Sequence, residues 1–195
     1  MTTGSTNERT ASAPEAATPA SWRGLRDAML AMLADHGYAV DARCDGQDLR
    51  FHAVTSDERR WRTQVLIDER HPVARLYVYL DLNYPAHQRL WVLELVCRIN
   101  TLLAIGAFDF EWDSGAVTFR HGRDFTGQSI DGAHAAQLLK VAVVALRLFT
   151  RAYAYRSTSD VTPAGAIDAA RVAEDLADDG VSSNAGRRAL VRLLK

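Results

Sequence analysis

The sequence predicts an α+β fold: an antiparallel β-sheet flanked by helices, in the order α-ββββ-α-ββ-α, followed by a C-terminal helical pair. Three observations predict it. From Leu90 to Gly127 the apolar residues change from helical spacing (Val92, Leu95, Val96, Ile99, Leu102, Leu103) to a period of two (Phe108, Phe110, Trp112), with Gly106 between them. Upstream, Val40 to Leu82 alternates apolar and charged residues in strand-length runs. Downstream, Gly132 to Tyr155 is apolar around most of a helical circumference.

The elements follow in order. Met1 to Ala20 is rich in Thr, Ala, Ser and Pro and has no apolar core, so it fails as a signal peptide and reads as a disordered tail. Ser21 can cap a helix with Trp22, Leu25, Met29, Met32 and Leu33 on one stripe, and Gly37 ends it. Asp45-Gly46 suits a type I′ turn. That turn sets Val40 opposite Phe51, Ala42 opposite Leu49, Asp41 opposite Arg50 and Arg43 opposite Asp48. Thr55 to Arg60 is a polar connection. Trp61 to Asp68 and Val73 to Leu82 then read as two strands joined through Pro72. Pairing Val65 with Val78 and Ile67 with Leu76 buries the apolar sets together, and sets Arg62 opposite Asp81 and Asp68 opposite Arg75.

Pro85 suits the first turn of the central helix, where its missing N–H would be unpaired anyway. On that helix Glu94 stands four residues before Arg98, the favourable orientation for an ion pair, and Gly106 is placed for a left-handed C-cap. In the hairpin beyond, a Ser114-Gly115 turn pairs Trp112 with Val117, Phe110 with Phe119 and Asp109 with Arg120. Such pairs are worth roughly 0.2–1 kcal/mol each. Asp131 can cap the long helix, whose only polar stripe is Gln137, Lys140, Arg147 and Arg151. Its second cover is a neighbouring element or a second subunit, and on that ground a homodimer is expected. Thr162-Pro163 opens an alanine-rich helix carrying Asp168, Glu174, Asp175, Asp178 and Asp179. Gly180 breaks it before a basic segment with Arg187, Arg188, Arg192 and Lys195. The two form an antiparallel pair, a docking tail or a solvated extension. The resulting division is a tail over 1–20, an α+β domain over 21–156 and a helical extension over 157–195.

Composition narrows the function. A net charge of −1 gives no electrostatic footprint for nucleic acid. Ala135 to Phe149 contains Lys140 and Arg147 and is short for a bilayer span, so no membrane association is expected and the protein is read as soluble and cytoplasmic. Cys44 and Cys97 are the only cysteines and read as buried thiols of a cytosolic protein. No catalytic, metal or cofactor motif stands up. None of the six histidines has the spacing of a zinc helix motif, and no Cys-x-x-Cys, Gly-x-Ser-x-Gly or dinucleotide fingerprint occurs. Gly122 to Gly127 has phosphate-loop glycine spacing, but Gln128 stands where the lysine should be, so it reads as the loop after a strand. His52 and His121 read as ordinary strand residues. Asp175, Asp178 and Asp179 read as a solvated helix end rather than a cation site.

The LYVYL strand (Leu76 to Leu80), the LVCRINTLLAIGAFDF segment (Leu95 to Phe110) and the GAVTFRHG strand (Gly115 to Gly122) carry a family resemblance. Together with the element order they resemble the YbjN family over roughly Trp22 to Tyr155. In that family a helix with Arg-x-Asn (here Arg98 and Asn100) runs through a glycine into such a strand. The resemblance implies a fold similar to the chaperones that hold effector proteins for type III secretion. It implies a role in sensory transduction regulation and brings no catalytic residue with it.

Two readings of function follow. One is a non-catalytic module, chaperone-like or regulatory, that binds a protein partner the sequence does not identify. The other is an enzyme with a site assembled from distant residues. For the first, the candidate partner-binding residues are Leu66, Tyr77 and Tyr79, apolar positions on the charged face of the sheet, with Leu66 directly opposite Tyr77. A helix covering that face would make them core instead.

Overall fold

Ser21 caps the first helix as expected: its hydroxyl accepts the Gly24 N–H at 3.1 Å. In this computed structural model, which describes residues 21–41, 48–54, 60–68, 70–128, 132–158 and 160–178, helix α1 spans Trp22–Asp35. It buries Leu25, Met29, Met32 and Leu33. Gly37 ends it at φ 72°, while Tyr38 N–H reaches back to the Leu33 carbonyl at 2.8 Å.

Strands β1 (Asp48–Val54), β2 (Arg60–Ile67), β3 (Val73–Asn83), β4 (Ala107–Glu111) and β5 (Ala116–Asp124) form one antiparallel sheet in the order β1-β2-β3-β5-β4. The first predicted strand contributes an isolated bridge between Val40 and Phe51, and Asp41 N–H donates to the Arg50 carbonyl at 2.7 Å. Both belong to the register expected of the Asp45-Gly46 hairpin, whose turn and Ala42–Arg43 pairings lie outside the described residues.

Two registers differ from the expected ones by two residues. Between β2 and β3, Val65 pairs with Leu76 and Arg62 with Tyr79, not with Val78 and Asp81. The cause is the turn. The Asp68 carboxylate accepts the Arg70 and His71 N–H groups at 2.8 and 3.2 Å, and Asp68 N–H donates to the Val73 carbonyl. This Asx turn returns the chain to Val73, closing a shorter connection than the expected register needs. Between β4 and β5, Phe110 pairs with Val117 and Phe108 with Phe119. A two-residue Ser-Gly turn would need a positive φ at Ser114. Instead a four-residue loop forms, with Gly115 at φ 72° and its N–H on the Glu111 carbonyl. Gly115 also lies under Tyr84, where a Cβ would stand 2.2 Å from the Tyr84 carbonyl oxygen. Trp112 therefore leaves the strand and is 48% exposed in the loop.

Pro85 precedes a 3-10 turn at Ala86–Gln88 instead of sitting inside the helix, and α2 runs from there over Arg89–Leu102. It buries Val92, Leu95, Val96 and Ile99 and carries the Glu94–Arg98 ion pair at 2.7 Å. Gly106 is not its cap, because the helix ends in extended backbone at Leu103. The positive φ of Gly106 (80°) serves a close approach: a Cβ there would meet the Phe119 ring at 2.6 Å. Cys97 is exposed on α2 rather than buried, because the inward stripe passes through Val96 and Ile99.

Helix α3 (Gly132–Thr158) is longer than the stretch judged too short for a bilayer, and by length and apolarity it could span one. In this fold it is the core helix. Phe149 and Leu138 are fully buried, and α1, α2, α4 (Pro163–Asp178) and the sheet pack around it. Ala166, Ile167 and Ala170 of α4 join the same hydrophobic cluster. Helices α1 and α4 of the same chain cover part of the apolar surface that argued for a second subunit, while Gln137, Lys140, Val144 and Ala154 are exposed and Val141, Val143 and Leu148 are half-buried. Aromatic rings connect the layers: Phe119 to Phe108 and Phe108 to Phe149 at 5.1 Å, Tyr84 to Tyr153 at 4.7 Å, and Trp91 to Tyr153 at 6.1 Å. Trp91 then donates its indole N–H to the Val161 carbonyl at 3.0 Å, which anchors the approach to α4.

Candidate protein-binding face

Strand alternation divides the sheet into two faces. Leu49, Phe51, Val65, Ile67, Leu76, Val78, Phe119 and His121 point into the helical layer and are buried. The opposite face presents Arg50, His52, Arg62, Gln64, Leu66, Arg75, Tyr77, Tyr79, Thr118 and Arg120, all exposed or half-buried. Leu66, Tyr77 and Tyr79 lie on this open face, as the alternation required. No described helix covers them.

The register shift changes their neighbours. Leu66 stands opposite Arg75, and Tyr77 opposite Gln64 on one side and Arg120 on the other, so Leu66 and Tyr77 are diagonal instead of directly opposed. Tyr79 donates its hydroxyl to Gln64 Oε1 at 2.8 Å, and the Arg62 guanidinium lies 4.5 Å from its ring centroid. Gln64 in turn donates to Asp48 Oδ1 at 2.9 Å. Burial opposes ionisation of Asp48, but the hydrogen bonds from Arg50 and Gln64 outweigh it and hold its carboxyl below the ordinary range. Tyr79 is therefore held by Gln64 and Arg62, while Tyr77, on the same strand, stands between Gln64 and Arg120.

Beside Tyr77 the face opens into a groove of about 450 Å³, lined by Val73, Arg75, Tyr77, Ile105, Gly106, Ala107, Arg120, His121 and Gly122. Neither Ile105, which is 54% exposed, nor the glycines stood out in the sequence as site residues. Their signal was a glycine within the strand pattern, which marks a close approach or a missing wall. Arg120 pairs with Asp109 at 2.6 Å and Arg75 reaches Asp68 at 3.9 Å. Both contacts are diagonal ones on the sheet, where long side chains reach across two residues.

Asn100, the Asn of Arg-x-Asn, sits at the sheet edge. Its side-chain amide donates to the Phe108 carbonyl at 2.9 Å and accepts the Phe108 N–H at 2.8 Å. It thus occupies the two backbone groups that edge strand β4 turns outward at that rung.

Among the described residues no three His, Cys, Asp or Glu side chains gather closely enough to hold a metal ion. The stretch read as a loop from Gly122 to Gly127 is strand as far as Asp124, and only beyond it does the chain turn, with Gly127 at φ 73°. His121 is buried in the core face, and burial, aided by the Arg123 charge, pushes its pKa down. The side chains of Asp175, Asp178 and Asp179, and Cys44, lie outside the described residues.

Known proteins place this architecture. No curated protein matches the chain. Residues 25–154 match the profile of YbjN, described as "putative bacterial sensory transduction regulator". The match runs from α1 through nearly all of α3 and includes every strand and the Asn100 edge contact. This chain belongs to the YbjN family.

Proposed function

We propose that the chain is a non-catalytic, cytoplasmic protein-binding module, regulatory or chaperone-like, and that the open sheet face is its binding surface. One observation carries the reading: Tyr77 and Tyr79 project side by side from the central strand β3, half-buried among arginines, on the face away from the helices. Aromatic and arginine side chains at the centre of a surface are what binding hot spots favour. The family description as a regulator supports the same class.

The test is the Tyr77→Ala, Tyr79→Ala double variant. A partner recovered by pull-down from native lysate and identified by mass spectrometry binds it at least about tenfold more weakly, the size expected when hot-spot side chains are truncated. A circular dichroism melt establishes that the variant is folded. Unchanged binding by the folded variant overturns the assignment of this face.

A further inference from the structure

Strand β5 outruns its neighbour. β4 begins at Ala107, opposite Arg120, whereas β5 continues to Asp124. Backbone direction along β5 follows from its partners. Phe125 N–H donates to the Pro72 carbonyl and Tyr84 N–H to the Gly115 carbonyl, so the odd-numbered residues turn their hydrogen-bonding groups toward β3. Both outward groups of Phe108 are taken by Asn100, which leaves Ala107, not Phe108, to exchange bonds with β5 at Arg120. The even-numbered residues of β5 therefore turn theirs toward β4. At Gly122 there is no β4 residue to meet them, because Gly106 at φ 80° bends the chain away and leaves Ile105 as the wall of the groove. A backbone edge that no described strand pairs is a template for another strand.

Side chains near this edge set the chemistry. Gly122 is exposed and carries no side chain, and directly across it on β3 stands Arg75. Arg120 is two residues along on the same face, with its Nε 2.6 Å from Asp109 Oδ2. A residue paired with Gly122 would place its side chain on this face, two strand spacings or about 10 Å from β3. Glutamate and arginine side chains together bridge such a gap, and the missing side chain at 122 leaves the path open. The nearby Asp124 carboxylate is already engaged by the N–H and hydroxyl of Thr126 at 2.8 and 2.7 Å. Arg62 lies over the ring of Tyr79, which takes that ring face away from a stacking base.

We propose that the backbone edge at Gly122, where β5 outruns β4, seats an extended acidic segment of a partner protein, which adds a rung to the sheet and sets a carboxylate between Arg75 and Arg120. The proposal rests on the protein-binding reading and names its partner class.

The probe is an acetylated, amidated peptide, Thr-Val-Glu-Val-Thr, titrated into the full chain and followed by backbone amide resonances. The Gly122 and Asp124 amides shift most, and the same peptide with Gln for Glu binds about tenfold more weakly, as expected for loss of a charge-assisted contact. Gly122→Val abolishes the shifts while leaving the melt intact. The strand accepts a Cβ there, with nothing nearer than Ala74 O at 3.7 Å and Arg75 Cγ at 3.9 Å. Arg75→Gln, which leaves the backbone untouched, weakens the Glu peptide about tenfold and the Gln peptide hardly at all. Equal binding of the two peptides, an unmoved Gly122 amide, or an oligothymidylate that shifts these amides more readily than the peptide overturns the proposal. If the recovered partner is lost by the tyrosine double variant but not by Gly122→Val, the edge seat is overturned and the protein-binding reading stands.

Discussion

Replacing Asn100 with alanine removes one side chain but two hydrogen bonds. The amide serves the Phe108 N–H at 2.8 Å and carbonyl at 2.9 Å, and alanine leaves both backbone groups without that partner. An unsatisfied buried group costs about 1–3 kcal/mol. Both bonds are only part-buried, so the lower half of that range applies, roughly 2–4 kcal/mol for the pair. In a chain of this size each kcal/mol moves the melting temperature by about 2–4 °C, giving a drop of roughly 4–16 °C. Urea unfolding of Asn100→Ala and wild type, at equal m-value, measures it. Amide exchange at Phe108 accelerates in the variant while that at Val78, on central strand β3, keeps its relation to global stability. Asn100→Asp does not rescue, since it keeps an acceptor for the N–H but sets a carboxylate against the carbonyl oxygen. A loss under about 0.5 kcal/mol would refute the edge-capping role, being the size of an ordinary surface substitution.

Three further outcomes are expected. Gly115→Ala combines a positive φ with a Cβ 2.2 Å from the Tyr84 carbonyl oxygen, so it destabilises by more than about 2 kcal/mol in urea titration; a neutral result would contradict the Tyr84–Gly115 approach. Burial lowers the pKa of His121 in the fold, so its contribution to stability is complete above the unfolded value near 6.5 and is lost as pH falls from there through the lowered folded value; His121→Gln flattens the pH–stability curve in that window, and an unchanged curve would contradict it. Ile167→Asp puts a charge into the α4 interface, where Ile167 is 4% exposed, so it lowers the melting temperature and drives self-association in sedimentation velocity; a variant as stable and as associated as wild type would mean α4 does not cover α3.

How much of this was legible in the sequence depended on what each signal measures. Side-chain alternation has a period of two, so it assigned Leu66, Tyr77 and Tyr79 to the face they occupy; it failed for Trp112, which lies in a loop, and for Leu82, which is exposed where the β3 register shifts. It does not distinguish a register from one shifted by two, and charge matching did not break the tie. Asp109 and Arg120 were expected to pair directly; they do form an ion pair at 2.6 Å, but across a diagonal, because Asp109 is opposite Thr118. Turn chemistry would have decided both cases. Asp68 as an Asx-turn residue points to the shorter connection, and Ser114 as a poor choice for positive φ to a four-residue loop. The Val40–Phe51 register, expected from an Asp-Gly turn, is the one found. Gly106 looked like a helix cap because it follows the last periodic residues, whereas its positive φ answers a tertiary demand, the Phe119 ring, which no local pattern encodes. The groove at Gly122 depends on β4 being shorter than β5, a property of two elements together.

The binding face is tested most directly by hydroxyl-radical footprinting of the full chain, free and bound to its recovered partner. Protection of Leu66, Tyr77 and Tyr79, with Leu90 and Val144 on the helical side equally reactive in both states, is the predicted result. Protection of Leu90 and Val144 while the three sheet-face residues stay fully reactive would contradict it.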